Sequence, residues 1–172
     1  MRHFIFRHYG WMALFGIVAA PLAAYVVGGK DWLGLAGTAL AGVLGFCYFV
    51  QQQKLSETQL FHSLFTAFNL RYDTLNGPLA AIISRNEPLS LEDRNLIIDY
   101  FNLCAEEYVF YKEGYIYRDV WRSWCRGMLW YLRRHPFKDI WNEEVKTESF
   151  YGLSLDVILK GAALTENTGR LS

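Results

Sequence analysis

Residues 9–29 read YGWMALFGIVAAPLAAYVVGG and residues 32–50 read WLGLAGTALAGVLGFCYFV, and neither stretch carries a charge. Each is about 20 residues long, which at about 1.5 Å of rise per residue spans a hydrocarbon core of about 30 Å. Only the GKD turn around Lys30 and Asp31 separates them. The expectation is a two-helix transmembrane hairpin, residues 1–50. A cleaved signal peptide would need a polar stretch with a small-residue cleavage site after its apolar core, and here a second apolar segment follows instead. Pro21 lies inside the first segment, where a membrane helix tolerates it.

Charge sets the orientation. Arg2 and Arg7 precede the first segment, Lys54 and Arg71 follow the second, and the turn holds only Lys30 beside Asp31. The positive-inside rule then puts both termini in the cytoplasm. Trp11, Tyr25, Trp32 and Tyr48 sit near segment ends, at the depth where interfacial aromatics collect. Gly37, Ala41 and Gly45 recur every four residues in the second segment, and Gly16, Ala20 and Ala24 do so in the first. Such small-residue faces let helix backbones approach, either within one hairpin or between the protomers of a homo-oligomer. Neither span holds an ionisable residue, which argues against a transporter or proton path.

Residues 51–172 are expected to form a small cytosolic helical domain for ligand binding and oligomerisation, so the fold class is all-α. The second membrane helix has no Gly or Pro from Gln51 to Gly77-Pro78 and reads as one long rod ended by that pair. Phe61, Leu64, Phe68 and Leu75 give the rod an apolar stripe. Pro88 marks a second break, and Ser90 with Asp93 forms a capping-box start. Ile97, Ile98, Phe101, Cys104, Ala105, Tyr108 and Tyr111 follow at helical period, with Gly114 as terminator. A helix over residues 118–134 stops before Pro136, and KDIWNEEV suggests a short one after it. LSLDVIL suits a strand or a helix, and the last ten residues read as disordered.

The chemistry concentrates in residues 115–137, YIYRDVWRSWCRGMLWYLRRHPF, with three tryptophans, three tyrosines and five arginines. Arg118, Arg122 and Arg126 share one helix face, Arg133 continues it, and Arg134 follows. Val120, Trp121, Trp124, Cys125, Met128, Leu129 and Leu132 take the opposite, core-facing side, with Trp130 and Tyr131 at the margins. Two readings stand. The arginines pair with Glu106, Glu107, Glu143 and Glu144, or they converge with Trp130 on a phosphate-rich ligand, which guanidinium groups match by bidentate geometry.

The net charge of the 172 residues is zero, so duplex nucleic acid is not an expected partner. Cys47, Cys104 and Cys125 are odd in number and contain no CxxC pair, which disfavours a disulfide framework or a zinc site. Four scattered histidines form no ligand pair, and no P-loop, GxSxG or GxGxxG is present. Neither an enzyme nor a cofactor is expected.

NLCAEEYVFYKEGYIYRDVWRSWCRGMLWYL, residues 102–132, preceded by LFTAFNLRYDTLNGPL, residues 64–79, resembles a loose group of bacterial membrane-anchored helical domains. Their pattern is a helix, a Tyr-Lys-x-Gly-Tyr/Leu-Ile turn and a Trp-rich helix. The hairpin with a small α domain is also similar in architecture to the type III CRISPR ancillary membrane effectors that bind cyclic tetra-adenylate. That resemblance implies a membrane-embedded antiviral-defence effector with a cyclic oligoadenylate as ligand. The alternatives are a membrane-anchored protein-interaction module and an abortive-infection toxin triggered by a phage protein.

Overall fold

The second apolar stretch begins a helix of 53 residues, Trp32–Ser84, in a computed structural model that describes residues 2–85 and 87–164. The side chains of residues 2–9, 12 and 20 lie outside this description, and with them those of Arg2, Arg7 and Ala20. The described residues are all-helical, without strands. The elements are α1 (Arg2–Val27), α2 (Trp32–Ser84), α3 (Leu91–Lys112), α4 (Arg118–Leu132), α5 (Phe137–Glu144) and α6 (Leu155–Ala162). Short 3-10 turns occupy Gly29–Asp31 and Val145–Thr147. The chain divides into two compact units, Met1–Gln59 and Leu60–Ser172.

Among the described residues one helix, Gly29–Ser84, is long and apolar enough to cross a membrane, and only 11% of its most apolar 18-residue window is buried. A core helix of a soluble domain would be covered, whereas Leu33, Leu44, Phe46 and Phe49 are exposed. The apolar part of α1 over Ala13–Val27 is shorter. A Cβ on Gly16 would stand 3.0 Å from a Val43 methyl, so the glycine lets α1 approach α2 there. Gly37, Ala41 and Gly45, by contrast, are exposed, and nothing lies within 4 Å of a Cβ built on Gly37 or Gly45. Their small-residue face is not the one that meets α1.

The second unit is assembled around aromatic rings. Phe101 packs edge-on against Trp141 at 5.0 Å, Trp141 stacks on Phe150 at 5.3 Å, and Tyr111 stacks on Trp121 at 4.8 Å. The stripe of α2 is absorbed by this core: Phe68 is buried, Leu64, Tyr72 and Leu75 pack against it, and Phe61 meets Tyr117 at 4.1 Å.

The expected break at Gly77-Pro78 is not there. α2 runs through both residues to Ser84 because its core-facing stripe continues: Leu79 is fully buried and Ile82 nearly so. An interior proline costs about 3 kcal/mol, and burying two aliphatic side chains at about 1.5–3 kcal/mol each offsets it.

The ends of α3 follow local chemistry. Ser90 and Asp93 form a complete capping box. Gly114, at φ +82°, donates to Tyr111 O while Tyr115 N–H donates to Phe110 O, a Schellman ending. The ambiguous LSLDVIL resolves as helix: the Ser154 hydroxyl accepts from Val157 N–H at 3.3 Å and starts α6. α6 then lies hard against α4. A Cβ on Gly161 would stand 2.4 Å from Cys125 Sγ and 2.7 Å from Trp121 Nε1, so only glycine fits. Of the last ten residues, Ala163 and Leu164 are described, and the reading of disorder for 165–172 lies outside the described residues.

Candidate functional site

α4 presents its arginines in two groups, not as one stripe. Arg122 and Arg126 reach the C-terminal end of α6, with Arg122 Nη1 donating to Leu164 O at 3.4 Å and Arg126 Nε to Ala162 O at 3.3 Å. Cations beside the last carbonyls of a helix satisfy acceptors that have no partner inside it and complement its dipole. The Arg122 side chain is only 12% exposed and lies 3.8 Å from Asp119. It is a structural clamp. Arg118, one turn earlier, is exposed on the far side of Asp119 from this clamp in sequence and does not join the second group.

That second group is a groove of about 540 Å³ lined by Arg126, Leu129, Trp130, Arg133 and Arg134. Residues 126, 130, 133 and 134 recur at helical spacing and share one face. The Arg134 guanidinium lies 3.5 Å from the centroid of the half-exposed Trp130 ring and donates to the Trp130 carbonyl. A planar cation stacked on an indole is held in place by about 0.5–1 kcal/mol at an exposed site. Three guanidinium groups thus face one concavity with no carboxylate in its lining.

The acidic neighbours expected to neutralise α4 are engaged elsewhere. Glu106 takes both Arg71 nitrogens, one at 3.1 Å, and this hydrogen-bonded pairing raises the Arg71 pKa. Arg94 bridges Glu143 at 2.8 Å and Glu144 at 2.7 Å. The paired reading of the arginines therefore does not describe these four glutamates.

Glu107 behaves differently from its neighbours. It is 6% exposed, and burial pushes its carboxyl up to about 8, with the like charge of Glu106 adding to the effect and Arg71 opposing it. The sequence offers it only as one of the acidic partners for the α4 arginines. A signal was present: Tyr100, Cys104 and Tyr111 at its i−7, i−3 and i+4 positions put it on the apolar face of α3. Tyr131 is also buried rather than marginal, its ring 4.8 Å from Tyr100 and 5.0 Å from Phe137.

Among the described residues, no cluster of His, Cys, Asp or Glu side chains gathers to hold a metal. The chain matches no family model, no curated protein and no solved structure. The site is therefore read from its own chemistry.

Proposed function

We propose that the protein is a membrane-anchored receptor, held by a two-helix hairpin, whose cytosolic helical domain binds a phosphate-rich ligand in the groove of Arg126, Trp130, Arg133 and Arg134. The observation that carries this reading is the lining itself: three guanidinium groups and an indole around one concavity, without an acidic residue. Guanidinium forks suit phosphate oxygens, and an aromatic face adds stacking of about 1–3 kcal/mol per base. The architectural resemblance makes a cyclic oligoadenylate the ligand to try first, in a defence effector that perturbs the membrane when the ligand is bound. α2 supplies the physical link, since one helix contains both the apolar span and the stripe of the ligand-binding unit. A ligand that prefers one packing of that stripe shifts the helix, and in a homo-oligomer the outward face of Gly37, Ala41 and Gly45 is where spans would repack.

The test is equilibrium binding of cyclic oligoadenylates of several ring sizes to the full chain in nonionic detergent, at low and moderate salt. Arg133→Ala is the informative variant, because Arg133 is exposed and takes no part in the clamp on α6. The expected result is size-selective binding that Arg133→Ala weakens, with the salt slope reduced by about 1. Absence of binding at low salt rejects the nucleotide. A second reading, a protein-docking face, is favoured by the Arg134–Trp130 stack, because arginine and tryptophan are the side chains that anchor protein interfaces. A partner peptide that binds with little salt dependence and is lost in Trp130→Ala would support it.

A further inference from the structure

A second cavity, of about 580 Å³, opens within the second unit between the later turns of α2, the middle of α3 and the start of α4. It shares no residue with the arginine groove. Its walls carry the rings of Phe65, Tyr72, Tyr100 and Trp124, and its acidic groups are Glu107 and Asp119. No Lys, Arg or His lines it. Phe65 and Trp124 lie nearly parallel with centroids 6.2 Å apart, so two π faces stand side by side.

Glu107 is the unusual member. It forms no hydrogen bond and no ion pair among the described residues. Among the described residues no fully enclosed side-chain oxygen or nitrogen lacks a partner, so the carboxyl oxygens of Glu107 keep access to the open space of the cavity. A carboxyl largely removed from water and left without a donor is costly, and a strongly shifted group lining an aromatic cleft is a candidate binding group. The cation that acts on it, Arg71, is already paired with Glu106.

We propose that this cavity binds a small organic cation, an ammonium group on an apolar body, with Glu107 as counter-ion and the four aromatic rings as walls. Each component has a stated role. Ring faces attract a cation through their quadrupole, at about 2 kcal/mol when desolvated. Glu107 supplies the negative charge, and Asp119, 3.8 Å from Arg122, lines the cavity from α4. For an anion the lining offers only neutral donors such as Asn69 and Ser123, and no cationic side chain. A phospholipid headgroup fits poorly, since its phosphate would face Glu107 and Asp119 with no Lys, Arg or His in the lining, so the ligand is a free cation. In the empty cavity Glu107 is mostly protonated at neutral pH, because its pKa is about 8. The charged groups acting on it are Arg71 from α2 and Glu106 from its own helix, Asp119 and Tyr72 line the same cavity from α4 and α2, and burial holds Tyr100 and Cys104 in their neutral forms. Cation binding favours the carboxylate, so the bound state releases a proton to solvent.

The experiment is calorimetric titration of the full chain, in nonionic detergent, with benzyltrimethylammonium, whose charge does not depend on pH. Affinity is expected to rise about tenfold per pH unit from about pH 6 towards 8 and to level off above it. Neutral benzyl alcohol should show no such rise. Glu107→Gln keeps a neutral group of the same shape as the protonated acid, and is expected to melt cooperatively while losing the pH dependence and at least about tenfold in affinity at high pH. Should that variant fail to fold, Phe65→Leu at the cavity mouth replaces it, with weaker binding and an unchanged pH profile expected. Absence of saturable binding, a flat pH profile, or wild-type affinity in Glu107→Gln overturns the proposal. The arginine groove takes no part in this titration, so either site can fail without the other.

Discussion

Replacing Glu107 by glutamine should stabilise the protein at neutral pH, and the size of the effect follows from burial. The ordinary carboxyl value is 4.5 and the folded value is about 8. Below the lower value both states hold the proton and the residue is neutral in its effect. Between the two, the unfolded chain ionises while the folded one keeps its proton, so stability falls as pH rises, by about 1.4 kcal/mol per unit. Above the upper value the loss is complete and the curve flattens. From about pH 5.5 to 7.5 the loss is therefore about 3 kcal/mol. For a folding unit of about 100 residues, at about 4 °C per kcal/mol, this is a fall in Tm of about 12 °C. Other groups titrate over the same range, so the informative quantity is the wild-type Tm minus that of Glu107→Gln. The assay is thermal unfolding followed by tryptophan fluorescence in nonionic detergent, with Trp121 and Trp141 buried in the core as reporters. The variant should match wild type at about pH 5 and exceed it by about 10 °C near pH 7.5. A difference that does not change with pH would refute the buried, unpaired carboxyl.

Two further predictions concern packing. Gly161→Ala should destabilise by about 1–3 kcal/mol through overpacking against Cys125 Sγ, and Cys125→Ala in the same chain should restore much of it; additive melting shifts would show that α4 and α6 are not in contact there. Pro78→Ala should stabilise by about 1–2 kcal/mol, because the proline interrupts a continuing helix. A loss of stability would instead restore the turn that Gly77-Pro78 suggests in sequence.

Much of the fold is readable one residue at a time. Ser90 with Asp93, Gly114 and the two uncharged stretches are local signals, and each lies where its own chemistry dictates. Gly77-Pro78 misleads because the cost of the pair is local, while the burial of Leu79 and Ile82 that offsets it depends on helices far along the chain. The arginines fail for a similar reason. Spacing puts Arg118, Arg122 and Arg126 on one face, but only the position of α6 decides that Arg122 and Arg126 cap its end while Arg126, Arg133 and Arg134 share a groove. Glu106 and Glu107 are adjacent in sequence and opposite in fate, one paired with Arg71 and the other facing a cavity. Helical phase distinguishes them, since Glu107 shares the face of Tyr100 and Cys104.

The proposed hairpin has both ends in the cytoplasm, and impermeant-maleimide labelling of intact spheroplasts tests that directly. Single cysteines at His3→Cys, Lys30→Cys and Asn142→Cys, read above the background of the native thiols, report the N-terminus, the turn and the helical unit. The account predicts labelling of the turn position alone, with the other two reacting only after the membrane is permeabilised. Labelling of His3→Cys together with Lys30→Cys would mean a single span, and labelling of none of the three until the membrane is permeabilised would remove the outward-facing turn and with it the hairpin.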